Sequence, residues 1–301
     1  MSSEHVYLLD TEALDSFALK GRSTPQIANA NGLTVRRVMQ IIRDTAKLPF
    51  DQLRILDFAC GEGVYAIEAA LRGSEVVAFD VRNERMDEGV KVKERFGLDN
   101  LRFEQTDIRN VDVGSYGGAD VVLFLGILYH LHHRDVFKVV RNIYDMCRQF
   151  VIIDTHIALH GRIKIEHDGR SYEGRQYREH ADDDPEEVRR SRLLASLDNS
   201  LSFWFTKESL FRLLNDVGFT SVFECNVPLE PFKLENRITI IAYKGEPVKV
   251  SSYPWVNDKT EDQIREVVSL NHTLSHFGVK QFVKTAVNGV LHRFGLELRR
   301  I

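Results

Sequence analysis

Between residues 54 and 157, short apolar runs alternate with stretches of helical character, and this alternation restricts the chain to one class of fold. The runs are rich in Val, Ile, Leu and Phe without strict polar alternation, which is typical of strands covered on both faces. Strands that alternate with helices predict a parallel sheet between two layers of helices. The predicted strands are RILDFA (54–59), EVVAFDV (75–81), LRFEQTDI (101–108), ADVVLFLGIL (119–128) and FVIIDTHI (150–157).

The remaining sequence completes the sheet and adds helical ends. A charged stretch precedes a helix predicted at 206–219, and SVFECNV and RITIIAYKG follow as two further strands. We predict an α/β fold: a Rossmann-like, seven-stranded, mostly parallel sheet with helices on both faces, plus helical N- and C-terminal extensions. Residues 1–50 form a helical cap or dimer segment, 51–250 the sheet domain with an insert at about 158–204, and 251–301 a helical extension.

The composition narrows the functional classes. The 301 residues carry a formal charge of -4, so no global basic excess indicates nucleic acid. The three cysteines, Cys60, Cys147 and Cys225, are far apart and lack metal-binding spacing, which favours a reduced, cytoplasmic protein. No uninterrupted apolar run is long enough to span a bilayer, and the N-terminus lacks a secretory pattern.

The loop in ILDFACGEGVYA (55–66) is the first place to look for a ligand, because open parallel sheets bind ligands beyond the carboxyl ends of their strands. The glycine positions of a nicotinamide fingerprint hold Ala59, Gly61 and Val64, so two glycines are missing. A phosphate-binding loop would end in Gly-Lys-Ser/Thr, which is absent.

The same loop reads Asp57-Phe-Ala59-Cys-Gly61-Glu-Gly63, an acid followed by a D-x-G-x-G-x-G turn with Ala at the first glycine. Here the chain resembles the class I S-adenosylmethionine-dependent methyltransferases, over residues 50 to 245. The resemblance implies a loop that passes close under the methionine part of the cofactor, where small residues avoid a clash. Ala59 excludes a backbone conformation that glycine alone can hold.

Further residues carry this resemblance at later strand ends. It implies that Asp80 accepts hydrogen bonds from ribose hydroxyls and that Asp107, in QTDI, reaches the adenine amino group. FLGILYHL (124–131) resembles the loop beneath the methionine end, and its GxLYHL form resembles the branch with small-molecule and wobble-uridine carboxymethyltransferases. The implied contacts to S-adenosylmethionine are Asp57, Ala59, Gly61, Gly63, Tyr65, Asp80, Asp107, Ile108 and Gly126.

Methyl transfer is an in-line displacement that needs a positioned acceptor and, for a hydroxyl or an activated carbon, a general base. His130 is the first candidate base, with a structural histidine as the alternative. His156 and Glu173 are the other catalytic candidates. Asp154 is open between catalysis and a cap or loop hydrogen bond. We predict no metal at His132 and His133, since no partner acid or cysteine set accompanies them.

The insert is expected to cover the acceptor, as the resemblance implies. Arg, His, Tyr and Glu are dense in residues 160–187, and arginines can clamp a carboxylate or phosphate. The alternative is a solvated lid with paired surface charges, and ADDDPEE predicts a helix start rather than a Mg²⁺ site. Phe203 and Phe205 are predicted in the core. The substrate-binding candidates are Tyr129, Arg162, Glu166, Tyr172, Arg175, Tyr177, Arg178 and Trp204.

The two ends suggest interactions beyond the sheet. STPQIANANGLTVRRVMQIIRD (23–44) resembles a helix-turn-helix with its turn at Gly32 and Arg36 and Arg37 on the second helix. A cap over the cofactor or a dimer contact is the preferred interpretation. The tail KQFVKTAVNGVLHRFGLELRRI has an apolar stripe and a basic face, which favours packing on its own domain or a second subunit over a membrane surface.

We therefore predict a cytoplasmic enzyme that moves a methyl group from S-adenosylmethionine to a small, polar or anionic acceptor. Its partners are that acceptor and a second copy of the chain, with no nucleic acid and no membrane span. Two alternatives stay open: a tRNA-modifying transferase, and a DNA-binding regulator that uses residues 23–44 and senses a ligand with the Rossmann-like domain.

Overall fold

A computed structural model describes residues 25–192, 195–226, 229–230 and 233–246, with side chains from residue 33 onward. These residues belong to the first of two compact units, Met1–Pro247. The second unit, Val248–Ile301, lies outside the described residues, and so do the predicted helical tail and residues 1–24.

Ten strands form two sheets in the described part. The main sheet has seven strands in the order β3-β2-β1-β4-β5-β10-β9, and β10 runs antiparallel to both neighbours. A second sheet has the order β6-β7-β8 and is antiparallel. The strands are β1 Arg54–Phe58, β2 Glu75–Asp80, β3 Leu101–Gln105, β4 Ala119–Leu125, β5 Cys147–His156, β6 Ile163–His167, β7 Arg170–Arg178, β8 Leu201–Phe205, β9 Ser221–Glu224 and β10 Arg237–Tyr243.

Helices follow each of the strands β1 to β4, as the alternation predicts. One further helix precedes β1, and a short one lies in the insert between β7 and β8. The helices are α1 Pro25–Thr45, α2 Val64–Leu71, α3 Asn83–Phe96, α4 Val113–Tyr116, α5 His133–Met146, α6 Glu186–Ser191 and α7 Lys207–Val217. Short 3₁₀ turns occur at Phe50–Gln52, Ile108–Asn110 and Leu128–His130. Helix α3 ends at Gly97, whose φ of 62° gives the left-handed cap that the sequence indicated.

The core lies on both faces of the main sheet. Successive residues of β1 separate: Ile55 packs with α1 and α2, whereas Leu56 packs with α5 and α7. Val121 and Val122 of β4 divide in the same way. Because side chains alternate across a strand, a strand buried on both faces must be apolar at consecutive positions. The predicted α/β class, with a mostly parallel seven-stranded sheet, is confirmed.

The N-terminal segment differs from the helix-turn-helix resemblance. Residues Pro25–Thr45 form one continuous helix, so Gly32 lies within the helix and not at a turn. Val38 and Ile42 are buried against the sheet domain. Arg37 is 4% exposed and pairs with Glu230. The turn that the helix-turn-helix resemblance implied at Gly32 is not formed, because this apolar stripe packs a single helix onto the domain. The preferred role of the segment, a cap over the cofactor or a dimer contact, stays a prediction.

The insert is more ordered than a charged surface segment would be. Residues 163–178 form a hairpin, β6–β7, and β8 extends it to three strands. Phe203 and Phe205 are buried in the core, which confirms their predicted place. No helix in the described part of the chain is long and apolar enough to cross a membrane.

Candidate active site

The loop between β1 and α2 makes a tight turn at the carboxyl end of the sheet. Ala59, Gly61 and Gly63 all have positive φ angles, of 57°, 58° and 74°. A Cβ on Gly63 would lie 2.4 Å from the ring of Phe103, and one on Gly61 would lie 2.6 Å from the guanidinium of Arg85. The two glycines therefore satisfy both a backbone and a packing requirement.

Ala59 enters the left-handed region despite its Cβ. This region is one that glycine favours but that other residues can hold at a cost of roughly 1–2 kcal/mol. Ala59 therefore keeps a left-handed backbone conformation, although alanine replaces the usual first glycine of the loop.

Asp80, at the end of β2, holds the loop in place. Its two carboxylate oxygens accept hydrogen bonds from the backbone N–H of Gly61 and of Arg82, each at 2.9 Å. The side chain is 5% exposed. Each oxygen has a second lone pair, so the carboxylate can also accept from two adjacent hydroxyl groups.

Asp57 is buried at the same edge, with 1% of its surface exposed. Burial, together with the negative charge of Asp80, raises its pKa to about 8. Its Oδ2 atom has no hydrogen-bond partner within the described residues. The Asp57 carboxyl group is thus predominantly protonated at pH 7 and can donate a hydrogen bond.

Asp107 follows β3 and pairs closely with Arg109. Its carboxylate accepts from the backbone N–H of Arg109 at 2.9 Å and from the guanidinium at 2.6–3.0 Å. Burial opposes ionisation, but these bonds hold the pKa of Asp107 below its ordinary value. The neighbouring Ile108 is buried, so it presents an apolar surface beside this carboxylate.

The loop after β4 brings Gly126 and Tyr129 next to a cation that the sequence did not indicate. Gly126 has a φ of 76°, and a Cβ there would lie 3.6 Å from Arg237. Arg237, at the start of β10, donates to Asp154 at 2.5 Å, and its guanidinium lies 5.7 Å from the ring centre of Tyr129. Burial alone would raise the pKa of Asp154, but Arg237 and Lys233 hold it low.

Tyr65 lies near the same charges. Burial and the negative charge of Asp154 raise the pKa of its phenol, so Tyr65 is a neutral hydroxyl at pH 7. Asp154 also accepts from Thr239 at 2.7 Å. Asp154 is therefore a saturated structural anion, which agrees with the hydrogen-bonding alternative for this residue.

His130 has a carboxylate partner from the insert. Its Nδ1 lies 2.9 Å from Oε1 of Glu179, and the Glu179 side chain is 2% exposed. The other oxygen of Glu179 accepts from the backbone N–H of Ser196 at 3.2 Å. This is the arrangement in which a buried acid fixes the tautomer of an imidazole and leaves Nε2 to exchange a proton.

An aromatic group forms beyond the ends of β4 and β5. Trp204 stacks on Tyr177 with ring centres 4.6 Å apart and on His156 at 4.9 Å, and its indole N–H donates to the carbonyl of Tyr129 at 3.0 Å. The guanidinium of Arg175 lies 4.2 Å from the centre of the Trp204 ring. Burial and Arg237 lower the pKa of His156, so its ring is neutral at pH 7.

The insert also lies across the neighbouring strand ends. Arg82, just after β2, donates to the backbone carbonyls of Arg190 and Arg192. Arg109, after β3, donates to Asp198 at 2.6 Å. Together with Glu179 on His130, these bonds connect the insert to the ends of three strands of the main sheet.

The remaining substrate-binding and catalytic candidates of the insert lie outside the group around Trp204 and His130. Tyr172 is 2% exposed in the core, and its hydroxyl donates to Asp216 at 2.9 Å. Arg178 pairs with Asp182, and Glu173 pairs with Lys164 in an exposed ion pair. Arg162 and Glu166 are exposed too.

The histidine run after β4 has structural partners. The ring of His132 accepts from the backbone N–H of Arg134 at the start of α5, at 3.3 Å. His133 lies beside it, 4.1 Å between ring centres. Within the described ranges, no three His, Cys, Asp or Glu side chains are grouped so that they could hold a metal ion.

Comparison with known proteins agrees with this geometry. Residues 55–149 match the family described as a methyltransferase domain. The described residues have the fold of the class I methyltransferases. The fold that the sequence resemblance implied is thereby confirmed, whereas the GxLYHL branch stays a prediction. No curated protein sequence matches the chain.

Three solved methyltransferase-fold structures illustrate the likeness. The N-terminal domain of EvdMO1 with S-adenosylhomocysteine bound has a TM-score of 0.55 and 19% identity, over 70% of this chain and 81% of that one. Magnesium protoporphyrin IX methyltransferase from Synechocystis PCC 6803, with S-adenosylmethionine bound, has a TM-score of 0.51 and 15% identity, over 77% of this chain and 91% of that one. Burkholderia thailandensis 1,6-didemethyltoxoflavin-N1-methyltransferase has a TM-score of 0.52 and 18% identity, over 82% of this chain and 94% of that one.

The sequence motifs did not indicate two residues that lie beside the acceptor candidates, Glu179 and Arg237. Both come from segments far along the chain from His130 and Tyr129. Glu179 stands in an acid-rich stretch in which no acid is distinguished by its neighbours. A signal was present for Arg237: it is the single charge that begins the otherwise apolar strand RITIIAY.

Proposed function

We propose that this protein transfers a methyl group from S-adenosylmethionine to a small, polar or anionic acceptor. The observation that carries the proposal is the loop from Ala59 to Gly63, which has small residues in a left-handed backbone and is tied by Gly61 to Asp80. Without bulky side chains, such a loop lets a ligand lie close to the protein backbone. The adjacent carboxylate can accept hydrogen bonds from a pair of ribose hydroxyls.

The described residues fit this cofactor. Asp80 would hold the ribose, Asp107 and Ile108 the adenine, and the loop at Gly126 with Asp57 and Tyr65 the methionine end. The orphaned Oδ2 of the buried Asp57 supports this assignment, because a buried polar atom without a partner costs about 1–3 kcal/mol. The bound cofactor would supply a methyl group on a sulfonium; an acceptor would attack that carbon in line, and S-adenosylhomocysteine would leave as the C–S bond breaks.

His130 acts as the general base in this proposal. Its Nδ1–H donates to Glu179, so Nε2 carries the lone pair that accepts the proton of the acceptor. The Trp204 group, defined as Trp204 with Tyr177, His156, Tyr129 and Arg175, positions the acceptor and excludes water from it.

A small acceptor is favoured over nucleic acid by charge and by burial. The whole chain carries a formal charge of -4. Arg37, which a DNA-reading helix would need, is buried in an ion pair with Glu230. The names of two structural neighbours state small-molecule acceptors, a porphyrin and a didemethyltoxoflavin. The cytoplasmic location and the homodimer stay predictions.

Calorimetric titration with S-adenosylhomocysteine and with NAD⁺ tests the proposal. We expect wild type to bind S-adenosylhomocysteine and not NAD⁺, and Asp80→Ala to weaken that binding at least about tenfold, since two charge-assisted hydrogen bonds are lost. Glu75→Ala is the matched control, because Glu75 is an exposed acid at the opposite end of β2. Tight NAD⁺ binding, or no binding of either ligand, would contradict the proposal.

A further inference from the structure

We propose that Arg175 and Trp204 form the binding site for an anionic group, a carboxylate or a phosphate, on a ring-bearing acceptor. The inference rests on the proposed function, which it deepens by naming the class of acceptor.

Arg175 has no counter-charge, in contrast to other arginines of the insert. Arg170, Arg178, Arg190 and Arg192 each pair with a carboxylate. Arg175 makes no ion pair or hydrogen bond through its side chain with any residue in the described ranges, and its Nε atom is buried without a partner. A half-buried guanidinium in this state is costly unless a ligand completes its hydrogen bonds.

The position of Arg175 directs it to the acceptor side. Arg175 lies directly opposite Trp204 in the β7–β8 ladder, and its guanidinium contacts the indole at 4.2 Å. Trp204 in turn contacts His156, the last residue of β5, and Tyr129, in the turn that follows β4. The ring of Trp204 thus links Arg175 to the carboxyl edge of the main sheet, where Glu179 holds His130.

The charge of this region resides on Arg175. Arg237, the other cation here, donates to the carboxylate of Asp154. His156 is neutral at pH 7, since burial and Arg237 lower its pKa. Glu173, two residues from Arg175 on the same strand, pairs with Lys164. Glu179 accepts hydrogen bonds from His130 and Ser196 instead. No carboxylate in the described ranges forms an ion pair with Arg175, so its positive charge has no direct partner there.

The chemistry of the site selects both an anion and a ring. Contact with the face of Trp204 restricts the position of the guanidinium. Its N–H groups form a fork that matches a carboxylate or phosphate in two parallel bonds. Tyr177 is 41% exposed beside Trp204, so its ring can contact a planar group of the ligand. We infer an aromatic or similarly planar acid as the acceptor class.

Three probes with one ring test the inference on protein saturated with S-adenosylhomocysteine: benzoate, phenyl phosphate and benzyl alcohol. Titration followed by ligand-observed NMR should show one or both anions binding at least about tenfold tighter than the neutral alcohol. A preference for benzoate would assign a carboxylate and a preference for phenyl phosphate a phosphate. Arg175→Gln should remove the advantage of the anions and leave benzyl alcohol unchanged.

Arg190→Gln is the matched control, because Arg190 is an exposed arginine of the same insert that pairs with Glu186. It should keep the full preference for anions. Arg175→Lys provides a second variant that retains the charge without the planar fork, and we expect it to lose most of the preference. Thermal melts of each variant report whether it is folded.

Equal binding of the three probes, or equal losses in Arg175→Gln and Arg190→Gln, would overturn the inference. Failure of the proposed function gives a different result, because S-adenosylhomocysteine itself would then not bind. In that case the same probe series on the free protein still measures whether Arg175 is an anion site.

Discussion

Asp57 shows at the scale of one residue how the fold sets a charge state. Its carboxyl lies at the end of a strand covered on both faces, and water is excluded from it. The charge of Asp80 adds to the cost of ionisation, which raises the pKa of Asp57 to about 8. The same burial that places the acid under the loop therefore keeps it neutral near pH 7.

This raised pKa makes the stability depend on pH. Because the folded state retains a proton that the unfolded state has released, the contribution of Asp57 is complete below pH 3.8 and is lost as pH rises to about 8. We expect the free energy of unfolding to fall with pH over this window, by at most about 1.4 kcal/mol per unit from this group.

Asp57→Asn should remove that part of the slope, as measured by urea unfolding between pH 5 and pH 8. Asp44→Asn is the control, because Asp44 is an exposed partner of Arg43 and should leave the slope unchanged. Equal slopes in wild type and Asp57→Asn would show that Asp57 is ionised in the folded protein.

Glu179 is proposed as a positioning residue for His130. His130→Gln should lower kcat by about 10²–10⁴-fold, since it removes the base. Glu179→Gln should lower kcat by a smaller factor, with little change in KM for the acceptor or in binding of S-adenosylhomocysteine. Steady-state kinetics on the identified acceptor measures both.

Glu173→Gln is the control for Glu179→Gln, because Glu173 is the exposed acid of the insert that the sequence also named as catalytic. It should keep wild-type kcat. A large loss of kcat in Glu173→Gln with none in Glu179→Gln would reverse the two assignments.

At the scale of elements, helix α1 illustrates how burial decides between two interpretations of one pattern. Arg36 and Arg37 are adjacent, but Arg36 is exposed whereas Arg37 donates to Thr239 at 2.7 Å and pairs with Glu230. Lys233 also pairs with Glu230 and with Asp154. A chain of charges thus joins α1 to the end of β5.

Arg37→Met should lower the free energy of unfolding by about 3 kcal/mol, because it leaves part of a buried ion pair without its partner. Arg36→Met should change it by less than about 0.5 kcal/mol, as expected for an exposed position. Urea denaturation of the two variants measures the difference. Equal effects would mean that α1 is not packed on the domain as described.

Strand positions were the most predictable elements, because their signal is local. The five predicted parallel strands each overlap an observed strand, and so do the two further strands predicted after them, which pair antiparallel. The insert was less predictable, since β6, β7 and β8 gain their stability from pairing with each other and from Phe137 and Tyr172 in the core. A charged sequence pattern does not report such contacts.

In the molecule as a whole, the candidate site is formed by segments that are distant in sequence. The strand-end acids were predictable because parallel strands bring their carboxyl ends to one edge. The contacts of Glu179 with His130 and of Arg237 with Asp154 could not be predicted, because the paired residues are 49 and 83 positions apart in the sequence. Their identity depends on tertiary packing, which a single sequence does not specify.

Hydrogen–deuterium exchange with and without S-adenosylhomocysteine reports both whether this ligand binds and which segments it contacts. We expect slower exchange in peptides that span 58–65, 80–86 and 124–131, and no change in the second half of α5, which packs away from the site in the core. NAD⁺ should protect none of them. No protection at this edge, or equal protection by NAD⁺, would contradict the proposed cofactor site.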